Sequence, residues 1–468
     1  MRRLPLVVLL VTAAAAAHGA GPAGFTAAEE KGDRTEAEYQ LGQALERMGF
    51  YFSAFARYAA IVSAGPGHPY YLEAVDAAAS AAERLGDDVL APNLFEKAYG
   101  EPLSALAPQR LATIRASLAL LGYRAGRYDR AAHLVEEVPP GTAAYPQARY
   151  VMGLLQQRSD PGAAAATFRA LAVMPGVPGE LKELAWMALG RTLYALHRFP
   201  EASAAYEKVP RFSRHWDEAL FEGAYADLMK GDPGGALGKL HSLQSPHLSD
   251  EFVPESLNLM AILYQQRCLY SQVRAVLAEF DRQYPPMRDQ MKRVLQSQPA
   301  LEEYWRMLQP ADGRLPPAVQ NHLQKNERVA SMRAYLEALD EEASRVRAAS
   351  GLAAGLKDEL LQGIARQKQL SERLAGKFVQ GRLADMARLI DLLEGDKELI
   401  AFETTKGEKE RLESRFDADA QLATQLLRRP GLPQKGHEYW PFDGEYWPDE
   451  IGYYRYTVKD ACAGSREE

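Results

Sequence analysis

Seven times between residues 35 and 290 the sequence returns to one pattern. A small residue sits in one apolar segment, an Ala follows about twelve residues later, and an aromatic or aliphatic residue stands four further on. The small residues are Gly42, Ala79, Ala119, Gly153, Gly190, Gly223 and Ala261, spaced by roughly 33 to 40 residues. The answering Ala or Val is Ala54, Ala91, Ala131, Ala202, Ala236 or Val273, followed by Tyr58, Phe95, Val135, Tyr206, Leu240 or Leu277; the fourth copy is shifted by one and uses Ala164 with Phe168. Steps of three and four put these residues on one helix face. A small side chain is needed wherever two helix axes approach to about 8 to 10 Å. Each copy therefore reads as a helix pair. Turn signals fall between the helices at Met48-Gly49-Phe50, Leu85-Gly86-Asp87, Ala125-Gly126-Arg127 and Lys230-Gly231-Asp232. Pro66, Pro102, Pro139, Pro175, Pro210, Pro246 and Pro285 stand where each second helix should end.

The fullest copy, Trp186, Leu189, Gly190, Leu193, Phe199, Ala202, Tyr206 and Val209, resembles the tetratricopeptide (TPR) pattern W-x2-L-G-x2-Y followed by A-x3-F. The resemblance implies an all-α TPR superhelical solenoid over residues 35–290, of about seven helix pairs. In that family the first helices of the pairs line a concave face that binds peptides and proteins. Tyr123, Tyr128, Tyr150, Tyr194, Tyr225 and Tyr264, at helical spacing, read as core or groove wall.

The first twenty residues differ from all that follow. Met1-Arg2-Arg3 leads into the apolar run Leu4 to Ala17 and then His18-Gly19-Ala20, the layout of a cleavable secretory signal and too short for a membrane span. A periplasmic location follows as the expectation. No later stretch approaches about 20 consecutive apolar residues, so stable membrane insertion is not expected. Cys268 and Cys462 are the two cysteines. The favoured expectation is a buried Cys268 and a free Cys462; the alternative, open in an oxidising compartment, is a disulfide stapling the C-terminus to the last repeat. The net charge of -7 offers no basic face to phosphates, which argues against nucleic acid as a partner.

After Met287 the repeat phase fades, and residues 291–428 read as a capping and long-helix region. Val329, Met332, Leu336, Leu339, Ala343 and Val346 step by three and four. A second run from Leu352 through Leu374 continues or restarts through Leu383 to Leu393, with a turn at Ser350-Gly351, so a long helical hairpin is expected. Residues 429–468 form a linker and an aromatic-rich C-terminal segment in which Glu438-Tyr-Trp-Pro recurs as Glu445-Tyr-Trp-Pro. Rings at this density leave a large apolar surface if solvated. Tyr439, Trp440, Tyr446 and Trp447 are therefore the partner-binding candidates, with Trp440 and Trp447 expected to be buried against the chain's own helices or a partner. A glycan stacked on these rings is the alternative ligand.

Catalytic chemistry finds little support. No C-x-x-C or H-E-x-x-H supplies metal ligands, and no G-x-S-x-G elbow occurs. Gly231-Asp-Pro-Gly-Gly-Ala-Leu-Gly-Lys239 has Pro233 and Leu240 where a phosphate loop needs Gly and Ser/Thr, so it reads as a turn between helices. Neither an enzyme nor a cofactor or metal site is expected.

With its N-terminal signal, repeats, long helices and ending Trp440-Pro-Phe-Asp-Gly-Glu-Tyr-Trp-Pro-Asp-Glu-Ile-Gly-Tyr-Tyr, the chain resembles the periplasmic TPR proteins of the adventurous gliding motility machinery of myxobacteria. That resemblance implies a non-catalytic scaffold subunit of an envelope-spanning complex, with other envelope or motility proteins as partners. A cell-wall or polysaccharide-binding envelope protein, serving surface-polymer export or wall attachment, is the alternative.

Overall fold

The computed structural model describes residues 34–86, 90–98, 101–309, 311–414, 445–458 and 460–462. The expected signal segment lies outside them, as do Tyr439 and Trp440. The chain divides into two compact units, Met1–Leu155 with Asn326–Ala375, and Gln156–Lys325 with Gly376–Glu468. The described residues form helices and no strand. In the first unit these are α1 (Arg34–Arg47), α2 (Tyr51–Ala64), α3 (Tyr71–Leu85), α4 (Leu90–Ala98), α5 (Pro108–Arg124) and α6 (Tyr128–Glu136). Helix α7 (Tyr145–Ser159) runs across the division. The second unit holds α8 (Pro161–Val173), α9 (Gly179–Ala195), α10 (Phe199–Tyr206), α11 (Trp216–Met229), α12 (Pro233–Leu243), α13 (Glu255–Gln265), α14 (Tyr270–Gln296), α15 (Leu301–Arg306) and α16 (Pro317–Lys325). Helix α17 (Glu327–Ala348) belongs to the first unit, and α18 (Ala354–Ser414) begins there and ends in the second. The expected second long helix is thus one unbroken element of 61 residues.

The repeat pattern matches helix pairs with the aromatic at the crossing. An ideal Cβ on Gly42 would lie 2.5 Å from the Tyr58 ring, and one on Gly190 2.6 Å from the Tyr206 ring. Glycine is thus set by the ring from the second helix, more than by the facing Ala. Tyr58 is fully buried and its hydroxyl donates to Glu46 Oε2 at 2.9 Å. Between helices, Gly49 and Gly231 take positive φ, of 78° and 84°, a conformation glycine enters without steric cost. His197 and Cys268 occupy the same turn position in their pairs at φ 58° and 55°, so two reversals carry no glycine signal.

Pro285 does not end its helix, contrary to expectation. Helix α14 continues through Pro285 and Pro286 to Gln296. Prolines inside a helix remove backbone donors, but α18 supports α14 on both sides of them. Lys397 pairs with Asp281 at 2.6 Å, Lys292 with Asp391 at 2.8 Å, and Arg288 with Glu394. Arg274 to Glu408 at 2.6 Å extends the series, whose opposed numbering makes the two helices antiparallel. Gly376 lets α18 pass the start of α15: a Cβ there would fall 1.6 Å from the Leu301 carbonyl oxygen.

In the first unit α17 and α18 form the expected hairpin, with Lys368 reaching Asp340 at 2.6 Å. Helix α17 also caps a helix distant in sequence. Glu342, fully buried, accepts from the backbone N–H of Phe52 at 2.7 Å, from that of Ser53 at 2.9 Å and from Ser53 Oγ at 2.6 Å. The first turn of a helix has unpaired N–H groups and favours negative charge, so a carboxylate reaching it from α17 fixes both elements. Burial raises the Glu342 pKa, and these three hydrogen bonds oppose the rise. Glu342→Ala should cost about 2 kcal/mol or more, since it strands buried donors. A urea midpoint unchanged from wild type would contradict this cap.

Candidate functional site: the C-terminal strap and its groove

Helices α11, α12 and α13 place on one side Trp216, Leu220, Gly234, Gly238, His241, Ser242 and Tyr264. Gly234 and Gly238, four residues apart, share one face of α12, and their lack of side chains lets another backbone lie directly on the helix. That backbone is the C-terminal segment. A Cβ on Gly238 would sit 1.6 Å from the Tyr454 carbonyl oxygen, and one on Gly234 2.9 Å from that of Tyr456. Tyr456 N–H donates to the Gly234 carbonyl at 3.0 Å, and Gly452 N–H to Ser242 Oγ at 2.8 Å.

Side chains then fix the register. Ile451 is fully buried among Trp216, Leu220 and their neighbours. Gly452, at φ 91°, brings the chain against the Trp216 ring, where a Cβ would be 2.7 Å away. Arg455 pairs at 2.7 Å with Asp232, which also caps α12 by accepting from Gly235 N–H at 2.9 Å. Burial pushes the Asp232 carboxyl up, but its hydrogen bonds from Gly235 and Arg455 and the charges of Arg455 and Lys230 together hold it below its usual range. The Tyr456 ring stacks on His241 at 4.8 Å and meets Tyr264 edge-on at 6.1 Å. Beyond it, Ala461 N–H donates to the Arg267 carbonyl at 3.0 Å, and Cys462 is disulfide-bonded to Cys268 with Cα atoms 5.3 Å apart. The disulfide, not the favoured free Cys462, is what forms. The strap brings the two cysteines together across 194 residues of sequence, a proximity no spacing rule reveals.

Burial pushes the His241 imidazole down to about 4, and its Nε2 lies 2.9 Å from the Tyr264 hydroxyl. A His depressed in the fold is neutral there while the unfolded chain still binds a proton. Its contribution is complete above about pH 6.5 and is lost as pH falls from there towards 4. Lowering the pH from 7 to 5 should reduce the thermal midpoint of wild type more than that of His241→Phe. Parallel pH profiles would contradict the assignment.

The sequence candidates divide. Tyr446 is half-buried, edge-on to Tyr454 at 6.1 Å, with its carbonyl 3.4 Å from His247 Nε2. Trp447, expected to be buried against the chain's own helices or a partner, is 57% exposed, so the chain's own helices do not cover it. Ile451 takes the apolar site beside Trp216, while the backbone N–H of Trp447 donates to the Tyr454 hydroxyl at 3.0 Å. Arg211 donates to the carbonyls of Pro448 and Asp449 and lies 5.0 Å from the Tyr453 ring centroid and 5.5 Å from that of Phe212. Phe212 and Tyr453 are more than half exposed. Phe212 and Tyr453 thus flank the Arg211 guanidinium as exposed rings beside the strap. Ile451, Arg211, Arg455 and the glycines of α12 were not among the sequence candidates, although the Gly-x-x-x-Gly spacing at 234 and 238 was visible.

Lys239, the lysine of the false phosphate loop, is directed at Asp227 and at Glu207, the latter 3.2 Å away. Asp227 is fully buried and also receives Lys230 Nζ at 2.6 Å and Ser203 Oγ at 2.5 Å. Only Gly231 and Asp232 form the expected turn; from Pro233 the stretch is already helix α12. Among the described residues no group of three or more His, Cys, Asp or Glu is placed to hold a metal ion, and no helix is long and apolar enough to cross a membrane.

No protein-family model matches the chain, and no curated protein matches it. Among solved structures it is similar to that of a human IFIT1 dimer with PPP-AAAA, at 14% identity over 77% of this chain and 76% of that one, with a TM-score of 0.24. The fold assignment accordingly rests on the chain's own helices, which make it an all-α protein of TPR-like helix pairs.

Proposed function

We propose that this protein is a non-catalytic protein-interaction scaffold of the cell envelope, secreted to the periplasm. The observation that carries the scaffold reading is an unpartnered apolar face on α18. Leu392, Leu399 and Phe402 are spaced by seven and three, so they share one face of the helix, and all three are well exposed. A helix face of this kind exposed to water fits a surface that meets another protein. TPR-like pairs add the extended surfaces on which such folds bind peptides and proteins. The Leu4 to Ala17 run and the Cys268–Cys462 disulfide support secretion, because disulfides persist in oxidising compartments. The finer reading, a structural subunit of an envelope-spanning motility machine, rests on the resemblance of the C-terminal run to the gliding proteins.

Cross-linking in intact cells, followed by purification of the tagged chain, tests the scaffold. The expected result is a defined envelope protein recovered with wild type and lost with Leu392→Ser/Leu399→Ser/Phe402→Ser, at equal abundance in the periplasmic fraction. Recovery of the chain from the cytosol with Met1 intact, or identical cross-links from both chains, would overturn it. The exposed rings of Phe212, Trp447 and Tyr453 favour a second reading, polysaccharide binding, since exposed aromatic rings in a segment that also carries Asp449 and Glu450 suit sugar faces and hydroxyls. Retention on purified sacculi that Trp447→Ala abolishes would establish that reading instead.

A further inference from the structure

We propose that the groove on α11–α13 is a self-recognition site, which takes the strap residues 447–458 and 460–462 from a second copy of this chain as well as from its own. What the groove reads is local to the segment. Ile451 fills the pocket beside Trp216, Gly452 passes the indole, the Tyr454 carbonyl lies over Gly238, Arg455 meets Asp232, and Tyr456 stacks on His241. None of these contacts depends on which copy supplies the segment. The groove is also selective, because a main chain must lie on a helix surface cleared by Gly234 and Gly238, with glycine at the position facing Trp216.

The connection permits exchange. Thirty residues separate Ser414, the last of α18, from Glu445, a length that reaches roughly 100 Å when fully extended. A connection of that length can reach the groove of a neighbouring copy as well as its own, so the two grooves compete for the segment when copies are crowded together. Exchange of one element between identical chains needs no new interface.

The disulfide makes the exchange permanent and measurable. A small disulfide oxidant forms a mixed disulfide with Cys462 of one copy and releases one thiol. The Cys268 thiolate of the other copy then attacks the Cys462 sulfur and expels the second thiol. The oxidant has taken two electrons and the two thiol protons, and Cys268–Cys462 joins two chains.

Two full-length chains decide the matter, one carrying Cys268→Ser and the other Cys462→Ser, mixed in a glutathione redox buffer and run on a non-reducing gel. Neither chain can close the bond within itself. The expected product is a covalent heterodimer whose digest contains the Cys268 peptide joined to the Cys462 peptide. Its yield should fall by about tenfold or more with Gly238→Val in the chain that keeps Cys268, because the added side chain collides with main chain. Ile451→Asp in the other chain, which alters only the strap, should lower it equally, with helix content by circular dichroism checked for every variant. Absence of heterodimer from two folded chains would overturn the proposal. So would a heterodimer whose yield ignores both Gly238→Val and Ile451→Asp, since that is random thiol collision. Either outcome leaves the scaffold reading untouched, because the exposed face of Leu392, Leu399 and Phe402 is not part of the groove.

Discussion

Replacing Gly190 by Trp should lower the thermal midpoint sharply, while Glu201→Gln on the same helix pair leaves it close to wild type. Even a single Cβ at residue 190 would stand 2.6 Å from the Tyr206 ring. Tyr206 is itself buried, so it has no free space to yield. Overpacking typically costs about 1 to 3 kcal/mol, and an indole placed where no methyl fits belongs at or above the top of that range. Glu201 lies on the exposed side and pairs with Arg198 and Arg169, solvent-screened contacts whose loss should matter little. Differential scanning calorimetry of the two variants separates them, and equal midpoints would contradict the crossing of α9 and α10.

Asp227→Ala should be at least as damaging, by about 3 to 5 kcal/mol in urea unfolding, because it leaves the buried Lys239 ammonium without its nearest carboxylate. Glu207 at 3.2 Å is largely exposed and compensates only in part. Removing both members of the pair should cost less: Asp227→Leu with Lys239→Met should recover part of the loss, since well-packed apolar residues commonly replace a buried ion pair at little cost, while Lys230 and Ser203 still lose their acceptor. A single variant as stable as wild type would show that the pair is solvated.

The repeats were legible because their signal is periodic and local. Gly42, Gly190 and the Ala residues opposite them lie within one helix pair, and every second-helix position read from the sequence, from Ala54 and Tyr58 to Val273 and Leu277, is buried. Local rules failed where distant segments decide. Pro285 reads as a stop, yet α18 holds α14 helical past it through Asp281, Arg288 and Lys292. Glu342 looks like one more surface charge of a long helix, and its role depends on the first turn of α2, almost three hundred residues away. In the C-terminal segment the rings drew attention by their size. The anchors are instead Ile451 and the glycine faces of Gly234, Gly238 and Gly452, which are small and so leave little trace in composition. Ile451, not Trp447, occupies the site beside Trp216.

The central claim is that the C-terminal segment is part of the fold, laid across α11–α13 and fastened to the turn before α14. Mass spectrometry of the freshly isolated protein, alkylated and digested without reductant, tests it most directly. The account predicts that Cys268 and Cys462 are recovered in one disulfide-linked peptide pair, with neither residue alkylated. Quantitative alkylation of both as free thiols would contradict it.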